Sequence, residues 1–412
     1  MSLYNRISGV TQGVREDYLA LLTYIYALLL PLPNNLKSPA LILLAIIWLI
    51  QGIKTGFNLK DILRNRVFQL FLLLYFLYFI SFLLSPNKES LDLLILQTSI
   101  PLLPLIFYQK LERKEIRYAV LCFAVSTFFV SIWALYKTYT VYFNSFDITY
   151  ENLKTLNWAY FSFTLPISIN FHAPYFGLYV GTAFVVTLHT VYQSELARLR
   201  WPLKVLMIIG IIYFLIFLAV LSSRTALFAT IGVSSIVLTV HLILKKKIYL
   251  TVALVVIATL FSLTAYNTIP YLFAKMSSSA GHSERQILWT TALSVIKENP
   301  VWGVTTGERT KILQNKYEEI NFESGIENNL NAHNQYLDIA VSLGIPGLVV
   351  LILCYSAIIQ YASSHHNGLL LMFILIFSLC SVTESLLHRQ FGVVLFSFFC
   401  AIFVFAEKPK PN

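Results

Sequence analysis

Twelve apolar runs set what this chain can fold into. They fall near residues 18–33, 39–53, 67–84, 91–108, 118–139, 172–192, 205–221, 226–244, 248–265, 345–361, 369–383 and 392–406. A helix of about 20 apolar residues crosses the hydrocarbon core of a bilayer. No water reaches that core, so a spanning segment must pair its own peptide groups, as a helix does. Composition points the same way. Apolar residues make up 57% of the 412 and charged residues only 12%, where a soluble chain carries about 25% charge. A soluble enzyme, a disordered chain and a collagen-like fibre are excluded. The pattern predicts an all-α membrane protein of about 12 transmembrane helices.

The formal charge of +10, from 30 Lys and Arg against 20 Asp and Glu, would suggest nucleic acid in a soluble protein. Here it reports sidedness, because cytoplasmic connections retain Lys and Arg. Segments 1–17, 54–66, 109–117, 193–204, 245–247 and 407–412 carry most of the basic residues, and the connections alternating with them carry few. Both termini are therefore expected in the cytoplasm, and no nucleic-acid partner is expected. The polar stretch through Arg15 is too long for the n-region of a cleaved signal, so insertion through the first span is expected. Cys122, Cys354, Cys380 and Cys400 all lie in apolar runs and read as small buried hydrophobes, with no disulfide expected.

The outward segment 266–335 differs from its surroundings, with seven glutamates, six basic residues and no spanning run. A structureless loop of this length is uncommon in a compact protein, so a functional helical subdomain is expected between the ninth and tenth spans. Residues 1–265 would hold spans 1–9 and residues 336–412 spans 10–12, all in one integrated membrane domain. Ser283 and Gln286 have capping-box spacing ahead of Ile287, Leu288, Ala292 and Val295, and Asn299-Pro300 stops the pattern. A second helix is expected over 308–320. A third should begin at His333 or Asn334 and end near Gly344, two residues before Pro346.

Ionisable residues near membrane depth are the candidates for chemistry, because burying them unpaired is costly. Arg224 breaks two apolar runs within Ser222-Ser223-Arg224-Thr225, and a turn-capping role is its simpler alternative. Arg285 begins the first loop helix, where a solvated charge beside Glu284 is the plain reading. His333 lies at a helix start, whose dipole should keep the ring neutral and able to accept a proton. Asn331 and Asn334 can cap that helix without it. Glu384, His388 and Arg389 cluster in the last outward connection, and His172-Ala173-Pro174-Tyr175 opens another span. For these two clusters a structural role is the simpler reading.

Two arginines and a neutral histidine on one side of a membrane suggest a particular chemistry. Guanidinium groups hold phosphate oxygens in pairs, and a neutral imidazole can take a proton from an attacking hydroxyl. A diphosphate is then a ready leaving group, and its membrane carrier would be a polyprenyl lipid. There is no G-x-x-x-x-G-K-[ST] loop, no H-E-x-x-H and no clustered set of metal-ligating residues, so no cofactor or metal is expected. No acidic pair lies mid-membrane, and the candidate charges lie on one face only. Both points weigh against the different-class alternative, a lipid-linked oligosaccharide flippase or transporter.

Ser222-Ser223-Arg224-Thr225-Ala226, Arg285-x-x-x-Trp289-x-x-Ala292, Asn299-Pro300-x-x-Gly303, His333-Asn334-x-Tyr336-Leu337 and Gly344-Ile345-Pro346-Gly347 follow one another in order. Together with the span layout, this series resembles the bacterial O-antigen ligase and O-antigen polymerase family of inner-membrane glycosyltransferases. The resemblance implies a GT-C-like all-helical fold and an undecaprenyl-diphosphate-linked glycan donor. It also implies metal-independent, inverting transfer on the periplasmic face. By the same resemblance His333 would be the catalytic base and Arg224 and Arg285 would bind the diphosphate. Ser223, Asn334, Tyr336, His172, Tyr175, His388 and Arg389 stand as supporting candidates. His172-Ala173-Pro174-Tyr175 departs from the His-Pro-x-Tyr form expected of the family. The acceptor would be the lipid A-core oligosaccharide for a ligase, another lipid-linked repeat for a polymerase and a protein side chain for some relatives. Length and the single dominant outer loop favour the ligase.

Overall fold

The computed structural model describes residues 18–32, 34–57, 59–145, 158–192, 200–247 and 280–409, with scattered positions between 249 and 264. The described chain is all-helical and has no strand. In order the helices are α1 (Tyr18–Leu29), α2 (Asn34–Thr55), α3 (Lys60–Arg64), α4 (Arg66–Leu84), α5 (Lys88–Gln97), α6 (Ser99–Phe107), α7 (Arg113–Ser145), α8 (Trp158–Ile167) and α9 (Ala173–Tyr192). There follow α10 (Trp201–Leu221), α11 (Arg224–Leu244), α12 (Ala280–Glu298), α13 (Arg309–Glu319), α14 (Glu323–Glu327), α15 (Gln335–Ser364), α16 (Gly368–Cys380) and α17 (Gln390–Cys400). A π-helical stretch, Ala401–Phe405, continues α17.

Among the described residues eight helical segments are long and apolar enough to cross a membrane, and the chain is a multi-pass membrane protein. The expected count of twelve is not reproduced by length alone. The first and the last two expected runs form shorter apolar helices, Tyr18–Leu29, Gly368–Cys380 and Gln390–Phe405. The run 248–265 lies largely outside the described residues. The run 91–108 is divided at Thr98 between α5 and α6. Helix α8 has no counterpart among the expected runs.

Local signals account for several helix starts. Asn65 accepts hydrogen bonds from the backbone N–H groups of Val67 and Phe68 at the start of α4, and Asn87 forms a capping box with Ser90 at α5. Asparagine suits this position because its short side chain reaches the first unpaired N–H groups of the helix. The core of the membrane domain is α9, in which every residue from Tyr175 to Thr187 is buried. It packs against α7, α10, α11 and α16. Gly177 and Gly181 make the closest of these contacts possible. A Cβ on Gly177 would lie 2.8 Å from Ser223 Oγ, and one on Gly181 would overlap Thr230. Small residues four apart let two membrane helices approach at backbone distance. Here they seat the first turns of α11.

The loop helices form their own apolar cluster, with Leu288, Ala292, Val295, Leu313, Tyr317 and Ala332 packed against Ala340 and Val341 of α15. The expected boundary at 335/336 therefore falls inside a packed unit. The capping-box expectation is corrected, because α12 begins at Ala280 and Ser283 lies within it. Extending a nucleated helix upstream costs little, and a local capping pattern does not prevent it. The expected break at Gly344 is present (φ 70°, ψ −173°), although helical residues lie on both sides. There two motifs interlock. Val304 N–H donates to Val341 O at 2.8 Å, and Ile345 N–H donates to Pro300 O at 2.8 Å. A Cβ on Gly303 would overlap Val341 O, and one on Gly344 would overlap Val301 O.

The ends of the bundle are distinct. Gln109 N–H and Leu111 N–H donate to Phe405 O and Ala406 O, both at 2.8 Å, joining the 108–112 connection to the C-terminal stretch. At another place Asn87 Nδ2 donates to Gly307 O at 2.8 Å and Ser81 Oγ accepts from Thr306 N–H at 2.8 Å. That second set ties the loop helices to the α4–α5 connection. The four cysteines are free.

Candidate functional site

The first wall of the site is the start of α11. Ser222 turns the chain out of α10 in a left-handed backbone conformation (φ 53°). Ser223 then holds the N-cap position without a side-chain hydrogen bond into the helix. The first N–H groups of α11 thus lack a side-chain cap and present the positive end of the helix dipole, an arrangement that attracts anions. Arg224 is the first residue of that helix. Arg285 comes from the start of α12, more than sixty positions away in sequence, and lines the same cavity with Arg224, Ser223, Thr225, Pro174 and Thr383.

Burial first, and the charge of Arg224 next, lower the Arg285 pKa, while Glu384 and Glu284 oppose them. Two like charges facing one cleft, each with a guanidinium fork, form a site suited to an anion between them. Glu284, whose charge also acts on Arg285, accepts a 2.6 Å hydrogen bond from Ser324 Oγ.

His333 stands just ahead of α15 with a left-handed backbone (φ 42°). Its N–H donates to Asn331 Oδ1 at 2.9 Å. Asn334 caps α15, accepting from the N–H groups of Tyr336 and Leu337. The histidine is therefore not needed as the cap. A non-glycine residue held at positive φ stores strain, and such residues cluster at functional sites. The ring faces Glu384, with Nδ1 3.2 Å from Oε1.

This contact opposes the helix end, which favours the neutral ring. Burial is the largest influence and lowers the His333 pKa. The hydrogen bond and charge of Glu384 outweigh it, with Arg285 opposing and Glu284 assisting, and the net direction is upward. If Nδ1–H donates to the carboxylate, Nε2 is left as the accepting nitrogen.

The supporting candidates divide. His172 precedes α9 and faces the same group of charges; burial first and Arg389 next lower its pKa, Glu384 opposes, and His333 lowers it slightly further. Arg389 is exposed at the start of α17. Tyr175 and Tyr336 spend their hydroxyls on backbone carbonyls, donating to Ser385 O and Ser378 O at 2.9 Å each. Both tie helices to the 381–389 connection and its approach. His388 lies against Arg309, with each ring nitrogen 3.1 Å from a guanidinium nitrogen. Burial, then Arg309 and Arg389, hold its pKa well below the usual imidazole range.

Sequence reasoning did not single out Arg309. Its side chain is 2% exposed and meets Asp338 at 3.2 Å and Glu89 at 3.0 Å. Arg309 itself lies in a polar stretch and looks solvated. The usable signal was Asp338, an acid inside the apolar pattern of a spanning helix, which calls for a buried partner.

Residues 209–352 match the family described as O-antigen ligase. That stretch contains Arg224, Arg285 and His333 as well as Gly303 and Gly344, and it ends before Glu384. No curated protein matches the chain.

Proposed function

We propose, from the premise that residues 209–352 place this chain in the O-antigen ligase family, that it is a lipid-linked polysaccharide ligase. It would transfer glycan from an undecaprenyl-diphosphate-linked donor to a hydroxyl of the lipid A-core oligosaccharide. The site would face the periplasm from the bacterial inner membrane, with both termini cytoplasmic and the loop helices α12–α14 roofing the outer face. The observation that carries this reading is the cavity shared by Arg224, Arg285 and the uncapped start of α11, close to the His333–Glu384 pair.

The donor's diphosphate sits between the two guanidiniums, its oxygens also facing the N–H groups of α11. His333 Nε2 takes the proton of the acceptor hydroxyl. The oxygen attacks the anomeric carbon from the face opposite the diphosphate, so the new glycosidic bond forms with inversion as the bond to the diphosphate oxygen breaks. Negative charge grows on that leaving oxygen, and the arginines are preorganised to receive it. Glu384 holds the ring in one orientation and stabilises the imidazolium that forms, as an acid does behind a catalytic histidine.

The test is a purified preparation in liposomes given lipid-linked donor with and without lipid A-core. Glycan attached to lipid A-core is the expected product. Longer lipid-linked chains from donor alone would identify a polymerase instead, and movement of donor across the bilayer with no new glycosidic bond would identify a transporter. Activity is expected to survive EDTA, because arginines carry the leaving charge. Loss in chelator, reversed by a divalent ion, would overturn the arginine mechanism.

A second prediction concerns pH. As a base His333 acts when neutral, so the rate rises as pH climbs through its folded-state pKa. Glu384 holds that pKa up. Glu384→Gln is expected to move the acidic limb of the rate profile to lower pH. The pair also stabilises the fold below the unfolded imidazole value of about 6.5, and that contribution is lost as pH rises through the raised folded value. Melting temperatures of the two proteins should therefore differ most at acid pH and converge at alkaline pH. A limb that stays in place would separate Glu384 from the ring's chemistry.

A further inference from the structure

We infer that Arg309 is a positioning residue for the proposed base, acting through Glu384. Arg309 opens α13 in the outer loop, yet its side chain is almost fully enclosed (2% exposed) and joins three separate parts of the chain. One terminal nitrogen donates to both Asp338 oxygens, at 3.3 and 3.2 Å. The other donates to Glu89 Oε1 at 3.0 Å, and that oxygen also accepts from Thr310 Oγ1 at 2.6 Å. The same two nitrogens lie 3.1 Å from the ring of His388.

These partners sit where a clamp would matter. Asp338 lies on α15, five residues after His333 and on the helix that His333 precedes. His388 lies four residues after Glu384, on the same outer connection. Glu89 belongs to α5, which the loop reaches again through the hydrogen bond from Asn87 to Gly307. Arg309 therefore grips both segments that carry the base and its carboxylate, and braces them against a third. A neutral imidazole offers a single acceptor nitrogen, so one of the two His388 approaches is a hydrogen bond and the other is ring contact. The planar fork matters here. An ammonium group is compact and cannot span the carboxylates and the ring in the way a guanidinium does.

Several charges face His333 besides Glu384. Arg285 and Glu284 approach from α12, Asp338 from α15, and His172 from the chain ahead of α9. Arg309→Lys keeps the positive charge beside Asp338, so it alters geometry while leaving this balance of charges nearly intact. The connection carrying Glu384 is then free to draw back from His333, and the ring loses the partner that holds its pKa up.

The experiment measures carbethoxylation of His333 by diethyl pyrocarbonate against pH, located by mass spectrometry in the full chain in detergent. This reads the ring's protonation whether or not transfer takes place, so its outcome is independent of the proposed function, on which only the kinetic arm rests. Arg309→Lys is expected to move the modification midpoint to lower pH, in the direction of Glu384→Gln. In the transfer assay it should lower kcat by up to about a hundredfold, the scale of a catalytic group misplaced by roughly 1 Å, with the KM for donor unchanged. In the Glu384→Gln background it should add nothing, because residues acting through one contact are not additive. Should Arg309→Lys fail to fold, His388→Phe fills the ring's space while removing the acceptor and keeping both ion pairs, and the same results are expected. An unmoved midpoint, or effects of Arg309→Lys and Glu384→Gln that multiply, would overturn the inference.

Discussion

His333→Ala is expected to lower transfer about 10²–10⁴-fold, the usual contribution of a positioned general base. The loss should appear in kcat, with donor affinity nearly kept. The arginine cavity is lined by the start of α11, Arg285, Pro174 and Thr383, and His333 is not among its walls. Donor capture by a photoreactive lipid-diphosphate analogue should therefore survive in the variant while product formation fails. His333→Gln makes the test sharper. The amide can hydrogen-bond Glu384 and fill much of the space, but it does not accept a proton at neutral pH. It should be as inactive as the alanine variant while melting closer to the parent. Full activity in either protein would remove His333 from the role of base. Loss of donor capture in parallel would instead assign it to binding.

How much of this is readable from sequence depends on the distance over which each signal acts. Spans such as α4 and α10 follow from unbroken apolar runs, because twenty neighbouring residues decide whether a segment is stable in lipid. The break at Gly344 is equally local, resting on a glycine two residues before a proline. Arg224, Arg285 and His333 stand out in the sequence as charges at the edges of apolar runs, and the structure brings the two arginines to one cavity. The partner of His333 is not readable, since Glu384 is 51 positions away and nothing near either residue points to the other. The upward direction of the ring's pKa escapes a local reading for the same reason. A helix terminus contributes roughly 0.3–1 kcal/mol at an exposed site, and a carboxylate in direct contact outweighs it. Arg309 is hidden behind its polar neighbours, because burial of a charged side chain is decided by tertiary partners such as Asp338 and Glu89. The start of α12 falls ahead of the Ser283 pattern because a capping pattern describes a local preference and does not stop a helix from extending past it.

Gly344→Ala is expected to destabilise the protein by about 2–6 kcal/mol, combining backbone strain of about 1–3 kcal/mol with overpacking of similar size. The backbone at Gly344 (φ 70°, ψ −173°) lies in a region that is almost exclusively glycine's. The added methyl group would also overlap Val301 O, and a backbone oxygen cannot rotate aside as a flexible side chain can. Its neighbour across the joint, Gly303, is constrained in the same way, at φ 63° and against Val341 O. The consequence reaches the chemistry. This joint fixes the end of α12, the helix whose start carries Arg285, to the first half of α15, which His333 precedes. Opening it would part the two arginines from the proposed base, so transfer activity should fall even at temperatures where the variant stays folded. Gly232→Ala is the matched control. Gly232 lies within α11, and nothing comes within 4 Å of the place a methyl group would take there. Replacing a helical glycine by alanine is neutral or stabilising by about 0.5–1 kcal/mol. Thermal unfolding in detergent, with transfer measured well below each midpoint, separates the two effects. If Gly344→Ala melts and reacts like Gly232→Ala, the joint does not hold the site together.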